Sequence, residues 1–284
     1  MTGADGFTGC HFHVLAQAAG HEVLALKADL LDKVALTEEV AAAQAEAVLH
    51  LAAISAVTHA DNRAFYNVNL FGTLNLLDAL TAAGPPPLSV VLASSANVYG
   101  NCSASPITEL QPPAPVNHYA MSKLAMEHMA RNYSEQLPLV IARPFNYTGP
   151  TQPASFLIPK LVAHFSRGDA SVDLGNLDML REFNDVRMVC NAYLQLLQHG
   201  QPGEIYNVCS GKPHRLQFVL DELSRLTGRA IEVEVNPGLV RKNDLQRLYG
   251  NPDKLDSTLA AHGVTLHRPS LADTLQSMLD APEL

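Results

Sequence analysis

The 284-residue chain is short of cations and nowhere gathers them: 19 Lys and Arg stand against 28 Asp and Glu, a net charge of −9. General nucleic-acid binding and attachment to anionic membranes both rely on clustered Lys and Arg, so neither partner is expected. Long apolar runs are also missing. Although 47% of the residues are hydrophobic, no run reaches the length that spans a bilayer. Cysteine is scarce, and Cys10, Cys102, Cys190 and Cys209 are scattered, with neither CxxC pairs nor a secretory signal. That pattern points to reduced thiols in the cytoplasm rather than to disulfides or zinc. The twelve His show no HExxH or comparable spacing, so no metal is expected, and His11, His13 and His50 are read as structural or solvent-facing. Repeats and low-complexity tails are absent.

What is present is an alternation of strand-like and helix-like segments. Apolar runs at His21–Leu26, Ala47–Leu51, Leu88–Ala93 and Leu137–Ala142 are separated by amphipathic stretches, among them long helical patterns at Ala64–Ala83 and His118–Gln136. This predicts an α/β fold with a parallel, doubly wound sheet. After about Gly149 the segments shorten and Pro and Gly become more frequent. Residues 1–150 are therefore assigned to a dinucleotide-binding domain and 151–284 mainly to a substrate-binding portion, with segments near 183–210 completing the sheet.

Tyr119 and Lys123 lie four apart on the second helical pattern and so share one face. An ammonium beside a phenol favours phenolate, which makes Tyr119 a usable acid or base near neutral pH. Ser95, at the end of an apolar run, can hydrogen-bond the same substrate oxygen; Ser94 is the alternative. The chain start, Thr2-Gly3-Ala4-Asp5-Gly6-Phe7-Thr8-Gly9, precedes an apolar periodic stretch. Gly3 permits a tight turn, Gly6 a close backbone approach to a pyrophosphate and Gly9 close helix packing, with the helix N-terminus facing the phosphates.

Together these segments resemble the extended short-chain dehydrogenase/reductase family of NAD-dependent epimerases and dehydratases, over nearly the whole chain. Its members act on nucleotide-activated sugars. By that resemblance Gly3, Gly6, Phe7 and Gly9 line the cofactor, as do Leu51, Ala52 and Ala53 in His50-Leu51-Ala52-Ala53. Asn69 takes the buried asparagine position, and Tyr119, Lys123 and Pro144 lie by the nicotinamide. The stretch Arg143-Pro144-Phe145-Asn146-Tyr147-Thr148-Gly149-Pro150 places Asn146 on the sugar nucleotide. Two departures stand out. Met1 directly precedes the Gly-rich turn, so the first strand is expected to be missing, most simply through a displaced start. The path from Leu26 to Asp29 is also very short, as in reductases of 4-keto-6-deoxy sugars, and puts Asp29 and Leu30 along the adenine. Lys27 stands where an acidic ribose contact is usual, which tilts the cofactor toward NADP with NAD possible; a solvated surface lysine is the other reading.

The later motifs resemble the GDP-sugar branch, closest to its GDP-6-deoxy-4-keto-mannose reductases. Lys160, Arg181, Arg241 and Asp244 then become substrate contacts, the arginines as clamps on a diphosphate; surface salt bridges are the alternative for both. Asn97 separates the reactions, because the related dehydratases carry a glutamate base there and an amide cannot be a base. The resemblance thus implies NAD(P)H-dependent reduction of a GDP-4-keto-6-deoxyhexose to a GDP-rhamnose-type product, by a cytoplasmic homodimer. A 4,6-dehydratase, a 4-epimerase and a non-catalytic nucleotide-binding scaffold remain as alternatives.

Overall fold

The structure, a computed structural model, describes residues 1–55, 60–102, 104–236, 238 and 247–281. The first half runs α1 (Phe7–Ala18), α2 (Lys33–Ala43), β1 (Ala47–His50), α3 (Asn62–Tyr66), α4 (Thr73–Ala82), β2 (Ser89–Ala93), α5 (His118–Ala130) and β3 (Leu139–Pro144). The second half runs β4 (Tyr147–Thr148), α6 (Leu157–Arg167), β5 (Ser171–Leu174), β6 (Leu180–Arg181), β7 (Asn184–Asp185), α7 (Val186–His199) and β8 (Ile205–Val208), then β9 (His214–Arg215), α8 (Leu216–Thr227), β10 (Glu232–Val235), β11 (Arg247–Leu248), α9 (Asp253–Ala260) and α10 (Leu271–Leu279).

The main sheet has the order β1-β2-β3-β8, and all its pairings are parallel. β2 and β3 are buried at every position, as strands covered by helices on both faces must be. Side-chain alternation sorts their residues. Leu49, Val91 and Val140 pack with α1 and α7 through Phe12, Ala16, Val189 and Tyr193. Val48, Val90, Leu92 and Leu139 pack with α2, α4 and α5 through Leu36, Leu76, Leu77 and Met126. A separate apolar cluster joins α6, α8 and α10 to β5, and the pairs β4·β7 and β11-β6-β9 lie outside the main sheet. Among the described residues no helix is long and apolar enough to cross a membrane.

The chain start departs from expectation in an instructive way. His21–Leu26 forms no strand, because a strand is defined by its pairing and, among the described residues, Met1 alone exchanges backbone bonds with its Leu24–Leu26 end. The Met1 ammonium donates to the Leu24 carbonyl at 2.7 Å, and Leu26 N donates to the Met1 carbonyl at 2.8 Å. Thr2 bridges to His50 in parallel fashion, with Thr2 N donating to the Leu49 carbonyl at 3.1 Å. Met1 and Thr2 thus occupy the strand position between the two runs.

Candidate active site

All three strands of the first half end on one edge, and the Gly-rich turn is fitted against that edge. Gly3 has φ +66°, a left-handed conformation that favours glycine, and a Cβ there would lie 2.7 Å from Ala52 N. At Gly9 a Cβ would lie 2.1 Å from the Gly3 carbonyl oxygen. Gly6 N closes the turn on that same carbonyl at 3.2 Å, and no side chain caps α1. A tight cradling turn that a Cβ at position 3 or 9 would break, opening on an uncapped helix N-terminus, fits a dinucleotide pyrophosphate. Thr8 on α1 and Tyr147 on β4 tie the helix to the segment after β3, their hydroxyls 2.8 Å apart, with Phe7 stacked on the Tyr147 ring at 6.2 Å.

Behind the cradle runs a chain of hydrogen bonds whose directions can be assigned. Thr2 Oγ1 accepts from Leu51 N and Ala52 N, each at 3.1 Å, so its own proton goes to His50 Nδ1 at 2.7 Å. His50 Nε2 then donates to Thr73 Oγ1 at 2.8 Å, and Thr73 donates to the Asn69 carbonyl at 2.9 Å. Burial first, then the charges of Lys123 and the N-terminus, push the His50 pKa down to about 3, so the ring is neutral. Asn69 sits in a wide turn, Asn67–Gly72, where the helix loosens to i→i+5 pairing between α3 and α4, a distortion often found at functional sites. Its side chain exchanges bonds with the Ile54 backbone at 2.8 and 3.1 Å and donates to Ser122 Oγ at 3.1 Å. Ser122 donates in turn to the Tyr119 carbonyl at 2.8 Å.

Ser95, Tyr119 and Lys123 come together in a site that is nearly closed to solvent, at 5%, 8% and 3% exposure. Asn117 caps α5 by accepting from Ala120 N at 2.8 Å, which puts Tyr119 in the first turn, its ring edge-on to Phe65 at 6.1 Å. Ser95 Oγ accepts both N–H groups of Asn97, the backbone at 3.2 Å and the side-chain amide at 3.0 Å. Lys123 Nζ donates to the Ala93 carbonyl at 2.7 Å, and desolvation lowers its pKa to about 8 against the pull of Glu127. The Tyr119 phenol is shifted upward: burial raises its pKa and a hydrogen bond with Ser95 opposes the rise. The sequence expectation of a phenolate favoured by Lys123 is corrected here, because desolvation is the dominant influence on this phenol.

The remaining predicted residues are spread along the same edge and beyond it. Pro144 ends β3, paired with Val208, and Leu30 is buried against Gly72. Asp29 accepts from Leu31 N at 2.9 Å. Lys27 is exposed, and its backbone N–H, with that of Ala28, is taken by the Glu39 carboxylate at 2.9 and 2.6 Å. The Asn146 carbonyl accepts from Asn184 N and Nδ2 at 2.9 and 3.1 Å. Lys160 Nζ donates to the Asp173 carbonyl at 2.8 Å, and Arg181 lies on β6 with Nη2 3.4 Å from Met179 Sδ. Arg241 and Asp244 lie outside the described residues. Sequence reading missed Thr2, Ser122, Glu127 and Arg143 as parts of this site. For Glu127 a signal existed: it continues the four-residue spacing of Tyr119 and Lys123.

The family model for GDP-mannose 4,6-dehydratase matches residues 14–260. A GDP-6-deoxy-D-mannose reductase of Pseudomonas aeruginosa is 35% identical, covering 91% of this chain and 89% of that protein. A GDP-6-deoxy-D-talose 4-dehydrogenase of Aggregatibacter actinomycetemcomitans is 31% identical, with 91% and 90% covered. Among solved structures, one from Burkholderia cenocepacia J2315, provisionally designated an epimerase, shares 43% identity with a TM-score of 0.92 over 98% of this chain and 95% of that one. The structure of RMD from Pseudomonas aeruginosa complexed with NADPH shares 31% identity with a TM-score of 0.88 over the same shares. The chain belongs to the GDP-mannose 4,6-dehydratase family and is an NAD(P)-dependent nucleotide-sugar enzyme of the short-chain dehydrogenase/reductase type.

Proposed function

We propose that the protein reduces the 4-keto group of a GDP-4-keto-6-deoxyhexose, using NADPH in preference to NADH. The observation that carries the choice of reaction is the Asn97 amide on Ser95 Oγ. With its lone pairs engaged by two N–H groups, the Ser95 hydroxyl is left as a donor: its proton meets the Tyr119 oxygen in this structure and would turn to the keto oxygen once a substrate lies between them. A 4,6-dehydratase needs a carboxylate base at this position, and an amide cannot take a proton from the sugar. The names of the two relatives support the GDP-sugar class. They also correspond to the two possible configurations at carbon 4, of which the rhamnose type is favoured.

NADPH, when bound, supplies the hydride. Gly3, Gly6, Phe7 and Gly9 would hold its pyrophosphate, with Leu51, Ala52, Ala53 and Asn69 beside it. Asp29 and Leu30 would lie along the adenine, Lys27 by the ribose phosphate and Pro144 by the nicotinamide. Tyr119 acts as proton donor to the substrate oxygen, and its upward-shifted pKa keeps it protonated near neutral pH. That is the state a general acid needs. Lys123, anchored on the Ala93 carbonyl, keeps a positive charge one turn from the phenol and would bind the nicotinamide ribose. Asn146, Lys160, Arg181, Arg241 and Asp244 would contact the sugar nucleotide. A homodimer fits the exposed apolar side chains of Phe71, Met121 and Met129, at 53%, 43% and 42% exposure.

The test supplies GDP-4-keto-6-deoxymannose with NADPH and follows absorbance together with the sugar product. NADPH should be consumed in step with the keto sugar, while GDP-mannose alone stays unchanged. Formation of a 4-keto product from GDP-mannose without added reductant would show a dehydratase instead. Tight NADPH binding with no turnover of the keto sugar would leave a non-catalytic binder.

A further inference from the structure

Helix α5 carries a third buried ionisable side chain that the chemistry above does not use. Glu127 follows Lys123 by one turn and Tyr119 by two, so the three lie on one face, and it is 1% exposed. Its Oε1 accepts from Ser94 Oγ and from Arg143 Nε at 2.9 Å, while Oε2 accepts from Arg143 Nη2 at 2.5 Å. Arg143 lies on β3, 3% exposed, with its guanidinium 4.8 Å from the centre of the Tyr99 ring. The carboxylate is therefore held from the sheet side by groups that are themselves fixed.

The charges of this block do not cancel. Lys123 and Arg143 contribute two positive charges and Glu127 one negative. The other titratable groups facing them are neutral: His50 from β1, Tyr119 from α5, and Tyr99, whose phenol burial pushes up to about 12. Glu109 lies beyond Tyr99, on the far side of Asn207, whose N–H it accepts at 2.7 Å. Desolvation works against the Lys123 ammonium, and Glu127 is the group that works for it. Without Glu127 the ammonium would share its buried block with the like charge of Arg143 and have no counter-charge.

We propose that Glu127 is a positioning residue for the reaction: held by Arg143 and Ser94, its carboxylate supplies the counter-charge that keeps the Lys123 ammonium beside Tyr119. The turnover readout of this inference rests on the reductase reading above, and its cofactor readout does not. A purely architectural Glu127, clamping α5 to β3, would matter for stability alone.

The experiment measures kcat/KM for the keto sugar and, with no sugar present, the NADPH dissociation constant. Both are followed from about pH 6 to about pH 9.5 in wild type, E127Q and E127Q/R143M. In E127Q the loss of activity and of NADPH affinity with rising pH should begin about one pH unit lower than in wild type. The double variant removes Glu127 and Arg143 together, so no guanidinium is left buried without its carboxylate and Lys123 is the one charge of the block that remains; it should fold where E127Q fails. Its alkaline limb should fall below the wild-type position and no lower than that of E127Q. A lowered melting temperature with limbs at the wild-type position in both variants would overturn the proposal. A chain that turns over no keto sugar but shows the displaced NADPH profile keeps this inference and loses the substrate reading.

Discussion

Ser94 and Ser95 are chain neighbours whose hydroxyls part company: Ser94 donates to the buried Glu127 carboxylate, and Ser95 accepts the two N–H groups of Asn97. Successive side chains leaving a strand point to opposite sides, so one residue of register decides which hydroxyl meets the substrate. Ser95→Ala should lose on the order of 10²-fold in turnover, the scale of one oriented hydrogen bond in a closed site. Ser94→Ala should cost about 1–2 kcal/mol of stability and less than tenfold in turnover. Steady-state kinetics with thermal melts on both variants decides the matter; a larger catalytic loss in Ser94→Ala would reverse the assignment.

Tyr119→Phe should fold as the wild type does and lose on the order of 10²-fold or more in turnover, since the proton donor is removed while the packing against Phe65 is kept. Retention of wild-type turnover would end the proton-donor assignment.

Asn97→Asp puts a carboxylate on the Ser95 hydroxyl. A carboxylate accepts rather than donates, so the Ser95 proton would turn toward it and away from the keto oxygen. Reduction should fall about tenfold or more, with NADPH affinity nearly unchanged. Kinetics of the variant that match wild type would show that Asn97 does not orient Ser95.

His50 makes stability depend on pH, with a sign that can be worked out. Its folded pKa of about 3 lies below the ordinary value of 6.5, so between those limits the unfolded chain binds more protons. The neutral-His50 contribution is then fully present above about pH 6.5 and is lost as pH falls toward 3. The full shift corresponds to roughly 5 kcal/mol. Denaturant melts between about pH 7 and pH 4 should show steeper acid loss in wild type than in His50→Gln. Equal slopes would remove His50 as the cause.

Gly9→Ala should abolish NADPH binding, because its Cβ would lie 2.1 Å from the Gly3 carbonyl oxygen and the turn has no flexible side chain to yield. Calorimetry on the folded variant tests this directly, and wild-type affinity would remove the Gly-rich turn from the cofactor site.

The parts of this molecule that were readable in advance are those written by local rules. Val90, Val91 and Leu92 announce a strand buried on both faces, the glycines at 3, 6 and 9 announce a cradle, and the four-residue step from Tyr119 to Lys123 announces a shared helix face. The unreadable parts depend on what meets across the fold. The run His21–Leu26 has strand composition but lacks a strand's partner. Lys123 lies near Tyr119 as its spacing predicts, yet the direction of the phenol's shift is set by how deeply α5 packs, which no spacing encodes. Arg143 only opens the stretch that resembles the family's nicotinamide-side segment, and its bond to Glu127 spans 16 residues of chain, which no local pattern encodes.

The assigned direction of every bond from Thr2 through His50 and Thr73 to Asn69 has one more consequence. The His50 Nε2 hydrogen is buried between β1 and α4 on the Thr73 hydroxyl, and solvent replaces it when β1 and α4 separate. Its nuclear resonance is therefore an internal clock: the lifetime of that single proton in heavy water reports how often the cradle comes apart, with no label, ligand or substitution needed to read it.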